Sequence, residues 1–178
     1  MTDFQLTQKP PLGHYTRTIS GVTLTEVVDI KILSVATPLN GEAQRDAEFV
    51  KIGLKATPSQ KTATSGALTL IGMAKDQHFI LASDVPFPKL KNVYLTDQTH
   101  SWVALRAEGP AIWPALERFC MLDLHPHVFK IGDARRFDTE TMFTVMVKED
   151  DHQVLLLSAS SSAQSFLHAI ETALVAVS

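Results

Sequence analysis

The stretch FCMLDLHPHVFKIGDARR carries the only cysteine of the chain, Cys120, and two of its seven histidines. Asp123, His125 and His127 stand at alternate positions, so on an extended segment their side chains project to one side. An Asp–His–His set with a cysteine nearby suits zinc or iron. Against that reading, Pro126 fixes the backbone between the histidines and no fourth ligand is evident. A lone His-x-His is a weak motif. A cysteine–histidine nucleophile would need a thiolate in an electropositive, partly exposed setting. Cys120 instead falls on the apolar face of a helical pattern, where a small buried hydrophobe is the simpler role. The segment therefore reads as a structural turn made by Asp123, His125, Pro126 and Gly132. In it the Asp123 carboxylate accepts backbone N–H groups, and His127 is exposed. No catalytic, cofactor-binding or metal residue is assigned.

The rest of the chain adds no stronger chemistry. Its glycines stand singly, and neither GxGxxG nor GxxxxGK[ST] occurs, so a nucleotide lacks its usual cradle. HExxH and GxSxG are also absent. Glu149-Asp150-Asp151 reads as a solvated hairpin tip, and Lys89, Lys91 and Tyr94 as solvated surface. With 178 residues, 45% of them hydrophobic and 20% charged, the chain can build a substantial core. Its net charge of −3 and scattered basic residues exclude a nucleic acid or an anionic membrane as the expected partner. The first residues lack a basic-then-apolar signal layout, and no apolar run approaches the roughly 20 residues of a membrane span. A soluble cytoplasmic protein is expected.

The elements that would position these residues follow from periodicity. Residues 1–20, with Pro10-Pro11 and Gly13, read as an extended arm. GVTLTEVV alternates, with Val22, Leu24, Glu26 and Val28 on one face, and DIKILSV continues as a strand. EAQRDAEFVKIGL places Ala43, Ala47, Val50 and Leu54 near helical spacing. KATPSQKTATSG reads as a loop. GALTLIGM and HFILAS read as a hairpin closed by AKDQ. VPFPK breaks regular structure. SWVALRAEG is a strand, with Trp102, Ala104 and Arg106 opposed to Val103, Leu105 and Ala107. In GPAIWPALERFC, Ile112, Ala115, Leu116, Phe119 and Cys120 fit a helical template. That helix runs either from Pro110 through Pro114 or from Pro114 in a shorter form. RRFDTETMFTVMVKED gives a strand pair and HQVLLLSA another strand. SSAQSFLHAIETALVAVS is a helix with a stripe of Ala163, Phe166, Leu167, Ile170, Leu174 and Val177. Ser161 and Gln164 fit a capping box at its start. The order β-β-α-β-β then β-α-β-β-β-α predicts an α+β fold with mostly antiparallel sheets and helices packed on one face. The expected divisions are an arm over 1–20, a first subdomain over 21–95 and a second over 96–178, the last two allowed to intertwine.

The run WVALRAEGPAIWPALERFCMLDLHPHVFKIGDARR resembles the gamma subunit of heterotetrameric sarcosine oxidase. The residues that carry the resemblance are Gly109-Pro110, Cys120, Leu122-Asp123-Leu124-His125-Pro126, Phe129, Gly132 and Ala134-Arg135. Pro11-Leu12-Gly13-His14, GVTLTEV and the pair ending in HFILAS resemble the family's N-terminal half. The chain departs from the family at LIGMAKDQHF, where a tryptophan-rich hairpin is usual, at VPFPKLKN, where a helix is usual, and at SSSA, where an Arg-Ser-aromatic-Ala run is usual.

The resemblance implies two ferredoxin-like, βαββαβ-type subdomains, as in aminomethyltransferase-like folate-binding folds. It implies a non-catalytic subunit that contacts chiefly the alpha subunit of a complex with beta and delta subunits. It places FAD, FMN, NAD and tetrahydrofolate in the partner subunits and no cofactor in this chain. The complex would oxidatively demethylate sarcosine to glycine, with hydrogen peroxide and methylenetetrahydrofolate as products. The alternative is a stand-alone folate-binding aminomethyltransferase-like protein, for which Asp97 is the only carboxylate near the start of the second half.

Overall fold

A computed structural model describes residues 9–139 and 142–177. Its strands are β1 (Thr16–Ile19), β2 (Val22–Glu26), β3 (Ile30–Ala36), β4 (Thr62–Ser65), β5 (Leu68–Gly72), β6 (Gln77–Ser83), β7 (Tyr94–Asp97), β8 (Trp102–Glu108), β9 (Ala134–Thr139), β10 (Met142–Asp150) and β11 (Gln153–Ala159). Its helices are α1 (Glu42–Lys51), α2 (Ile112–Phe119) and α3 (Ala163–Val175). The strands form a six-stranded sheet, β1-β2-β8-β11-β10-β9, and a five-stranded sheet, β4-β5-β6-β3-β7. Every pairing is antiparallel.

The sheets lie face to face. Ile32, Phe79, Leu81 and Ile71 of the smaller sheet pack with Val145, Val147, Leu155 and Leu157 of the larger. The outer face of the larger sheet is covered by α2 and α3, through Ile112, Leu116, Phe166 and Ile170. The outer face of the smaller sheet is covered by α1 and the loop after β6, through Phe49, Leu54 and Leu90. Each such side chain, fully buried, stabilises the fold by about 1.5–3 kcal/mol. The α+β class, the antiparallel sheets and the one-sided helices are those expected from the sequence.

Particular expectations fared unevenly. β2 buries Val22, Leu24 and Glu26 and exposes the residues between them, as the alternation required. α3 buries Ala163, Phe166, Leu167, Ile170 and Leu174. The helix after Gly109-Pro110 begins at Ile112, so Pro114 sits in its first turn, where a missing N–H costs nothing. The Ser161 capping box is not formed: Ser162 is the N-cap, without a side-chain cap bond. The arm over 1–20 contains β1, which pairs with β2 through a two-residue turn. In that turn Ser20 and Gly21 both have positive φ, 51° and 75°, as a type I′ hairpin requires. The loop KATPSQKTATSG contains β4. Glu149 is not at a hairpin tip but within β10, half-buried against Arg106.

Two further points concern packing. α1 turns the face carrying Ala43, Ala47 and Val50 outward and buries Arg45, Glu48 and Phe49 instead. The division at residue 95 falls inside β7, which pairs with β3, while β2 pairs with β8. The smaller sheet is built from residues 30–97, while the larger joins β1 and β2 to the strands of the second half.

Candidate functional site

The segment after α2 begins where Cys120 leaves the helix in extended conformation, its N–H still bonded to the Leu116 carbonyl at 2.9 Å. Asp123 Oδ1 accepts the His125 N–H at 2.9 Å. The His125 carbonyl accepts N–H groups from Val128 at 2.8 Å and Phe129 at 2.9 Å, closing a turn over Pro126. The His127 N–H donates to His125 Nδ1 at 3.3 Å, and the two rings lie 5.0 Å apart. Asp123, His125, Pro126 and His127 are all exposed. Asp123 Oδ1 and His125 Nδ1 are thus engaged by backbone N–H groups. Among the described residues no group of three or more His, Cys, Asp or Glu side chains could hold a metal ion.

Leu124 and Phe129 anchor this turn in the core beneath α2. Phe129 meets Trp113 edge-on at 6.0 Å, and the Arg135 guanidinium lies 5.2 Å from the centre of its ring. Cys120 is buried in the same core, and burial pushes its thiol above the ordinary range. A protonated thiol of this kind is a poor nucleophile.

Residues 130–134 then tie the two sheets together. Gly132, at φ +83°, donates its N–H to the Lys148 carbonyl of β10 at 2.9 Å. Its own carbonyl accepts the Thr62 N–H of β4 at 2.8 Å and the Thr62 hydroxyl at 2.9 Å. The Lys148 N–H bonds the Asp133 carbonyl, and the Ala134 N–H bonds the Gln60 carbonyl, each at 3.0 Å. The Asp133 side chain is buried and pairs with Lys61, with the Lys130 N–H at 3.2 Å and with Arg135 Nη2 at 3.4 Å. Burial alone would raise its carboxyl, but Lys61, the Lys130 N–H and Arg135 outweigh burial and hold it below the usual carboxylate range. Lys148 is also buried, its ammonium 4.8 Å from the centre of the Trp113 ring and 3.3 Å from the Phe129 carbonyl.

Sequence reasoning singled out Asp123, His125, Pro126 and Gly132 but missed Lys61, Asp133 and Lys148, which complete the tie. It also missed the role of Glu26, although an acid on an apolar face was a usable signal. Glu26 is buried and accepts N–H groups from Leu12 at 2.8 Å, His14 at 2.7 Å and Tyr15 at 3.3 Å, fastening the arm. Lys89, Lys91 and Tyr94 are exposed. Asp97 caps the Thr99 N–H at 2.9 Å.

No protein-family model and no curated protein sequence matches this chain. Solved structures do. A chain of the heterotetrameric sarcosine oxidase from Corynebacterium sp. U-96, in complex with pyrrole 2-carboxylate, superposes with a TM-score of 0.80. That match covers 96% of each chain at 18% sequence identity. The glycine cleavage system aminomethyltransferase T from Bartonella henselae matches with a TM-score of 0.57 at 13% identity, over 91% of this chain and 49% of that one. This chain therefore spans about half the length of the aminomethyltransferase. It has the α+β fold of that sarcosine oxidase chain and of the overlaid half of the aminomethyltransferase, the fold that its sequence resembles.

Proposed function

We propose that this chain is a gamma-type, non-catalytic assembly subunit of a heterotetrameric sarcosine oxidase-like complex. In this reading it docks chiefly on an alpha subunit, with beta and delta subunits completing the particle. The partners carry FAD, FMN, NAD and tetrahydrofolate, and the complex converts sarcosine to glycine with release of hydrogen peroxide and methylenetetrahydrofolate. The observation that carries the reading is the end-to-end fold match, which leaves almost no part of either chain over.

The surface supports it. Leu39 is 94% exposed, Val50 66% and Met121 fully exposed, and α1 presents Ala43, Ala47 and Val50 outward. In this reading a docked partner covers these side chains. None of the described helices is long and apolar enough to cross a membrane. A stand-alone aminomethyltransferase-like activity would have to work with about half of that enzyme's chain.

The test is co-expression of the tagged chain with alpha, beta and delta subunits of the same source. The expected result is recovery of a flavin-coloured complex that releases hydrogen peroxide when given sarcosine. A chain that elutes alone beside those partners refutes the proposal. Saturable binding of tetrahydrofolate to the isolated chain would favour the stand-alone reading.

A further inference from the structure

The two sheets do not close on each other everywhere. At one corner they part around a cleft of about 540 Å³. Strand register makes this cleft unusual. Thr62 and Thr64 of β4 pair with Ile71 and Thr69 of β5, and Thr69 in turn pairs with Leu81 of β6. Directly paired residues point to the same side of a sheet. Since Ile71 and Leu81 belong to the core between the sheets, the three threonines face that interior as well. Ser83 shares the face through its pairing with Ile30.

The opposite wall repeats the pattern. On β8, Arg106 alternates with Ala104, and on β11, Gln153 alternates with Leu155. Ala104 and Leu155 belong to the same inter-sheet core. A β-sandwich fills such positions with apolar side chains. Here both facing walls are polar, above a floor of Ile30, Leu81, Val147 and Leu155.

Three charged residues line the cleft, but Lys148 turns its ammonium to the Trp113 ring and the Phe129 carbonyl, which leaves the pair of Arg106 and Glu149. Arg106 Nε and Nη2 donate to the two Glu149 oxygens at 2.7 and 3.1 Å. Two donors of the guanidinium fork suffice for this, and each carboxylate oxygen keeps acceptor capacity. Such a pair matches a ligand that itself carries an ammonium beside a carboxylate. The aliphatic floor matches an aliphatic body, and it offers no aromatic ring for a flat heterocycle to stack on.

We infer that the cleft between the sheets is a binding site for a small zwitterion with a branched aliphatic side chain. Its carboxylate meets Arg106, its ammonium meets Glu149, and its side chain lies on the floor. This inference is independent of the proposed subunit role. The probe is L-leucine, titrated into the 15N-labelled full chain. Saturable shifts of the Thr64, Thr69, Ser83 and Gln153 amides are expected. Leucinamide and 4-methylpentanoate, each lacking one charge, should bind about tenfold more weakly, the range of one lost charge-assisted hydrogen bond. Glycine, with no side chain for the floor, should also bind more weakly. Arg106→Gln should abolish the response, and Thr69→Val, which keeps the shape of the wall, should weaken it in a chain that stays folded. Absence of saturable shifts at these four amides, equal binding of the two single-charge analogues and leucine, or undiminished binding by Arg106→Gln each overturns the inference.

Discussion

The tie between the sheets can be tested at Asp133. Replacing it by alanine removes three interactions from a side chain that is 3% exposed. The Lys61 partner is 49% exposed and regains water, so the pair contributes only about 0.5–1 kcal/mol. The Lys130 N–H loses its acceptor, at a cost of about 1 kcal/mol. The Arg135 contact is long, at 3.4 Å, and the guanidinium keeps the Ala134 carbonyl at 2.9 Å, so little more is lost there. The expected destabilisation is about 2 kcal/mol at pH 7, or roughly 5 °C in Tm for a domain of this size.

The pH dependence gives the reasoning its sharper form. The Asp133 carboxyl is held low in the folded state. Its contribution is therefore fully present above the unfolded value of about 3.9 and is lost as pH falls from there through the folded value. Urea unfolding of wild type and Asp133→Ala should show a stability gap that is constant from pH 7 to pH 5 and closes below about pH 4. Asp133→Asn, which keeps an acceptor for the Lys130 N–H, should recover part of the gap at pH 7. A gap under 0.5 kcal/mol at pH 7, or one that is unchanged at low pH, would refute the assignment of stability to this carboxylate.

Three further outcomes follow from single positions. Glu26→Gln leaves one acceptor oxygen for the arm, so hydrogen exchange at Leu12, His14 and Tyr15 should quicken at least tenfold while the β8 amides stay protected. Burial and the hydrogen bond to Glu171 at 2.5 Å raise the Tyr15 phenol to about 12. Its contribution is present below the unfolded value of about 10 and is lost as pH rises through the folded one, so ultraviolet titration should show one late phenol that Glu171→Gln brings down. Gly109, at φ +151°, leaves no room for a side chain: a Cβ there would lie 2.2 Å from the Gly21 carbonyl oxygen. Gly109→Ala must push β2 away from β8, and loss of soluble protein or about 3 kcal/mol or more of stability is expected.

Much of the architecture was legible because periodicity survives wherever a segment buries one face. The alternation in β2, the two faces of β8 and the stripe of α3 all came from residue spacing. Three of the four edge strands gave no such signal. All four residues of β7 are exposed, and β4 and β1 are short and threonine-rich, so no apolar period marks them. α1 misled for another reason. Its Arg45 finds the Thr37 hydroxyl and the Lys75 carbonyl, and its Glu48 finds the Lys91 N–H, so two charged side chains can be buried with their bonds satisfied. Those partners lie up to 43 residues away, outside any local window.

By itself the sequence determined the fold class, most of the elements and the turn over Asp123, His125 and Pro126, because each rests on local spacing and backbone preference. The tertiary structure alone decided that β2 leaves its own half to pair with β8, and that Lys61 meets Asp133 across 72 residues. It also decided that polar residues of six strands meet at one cleft. Those choices depend on which surfaces meet when the sheets close, and residue spacing carries no record of a partner that distant in the chain.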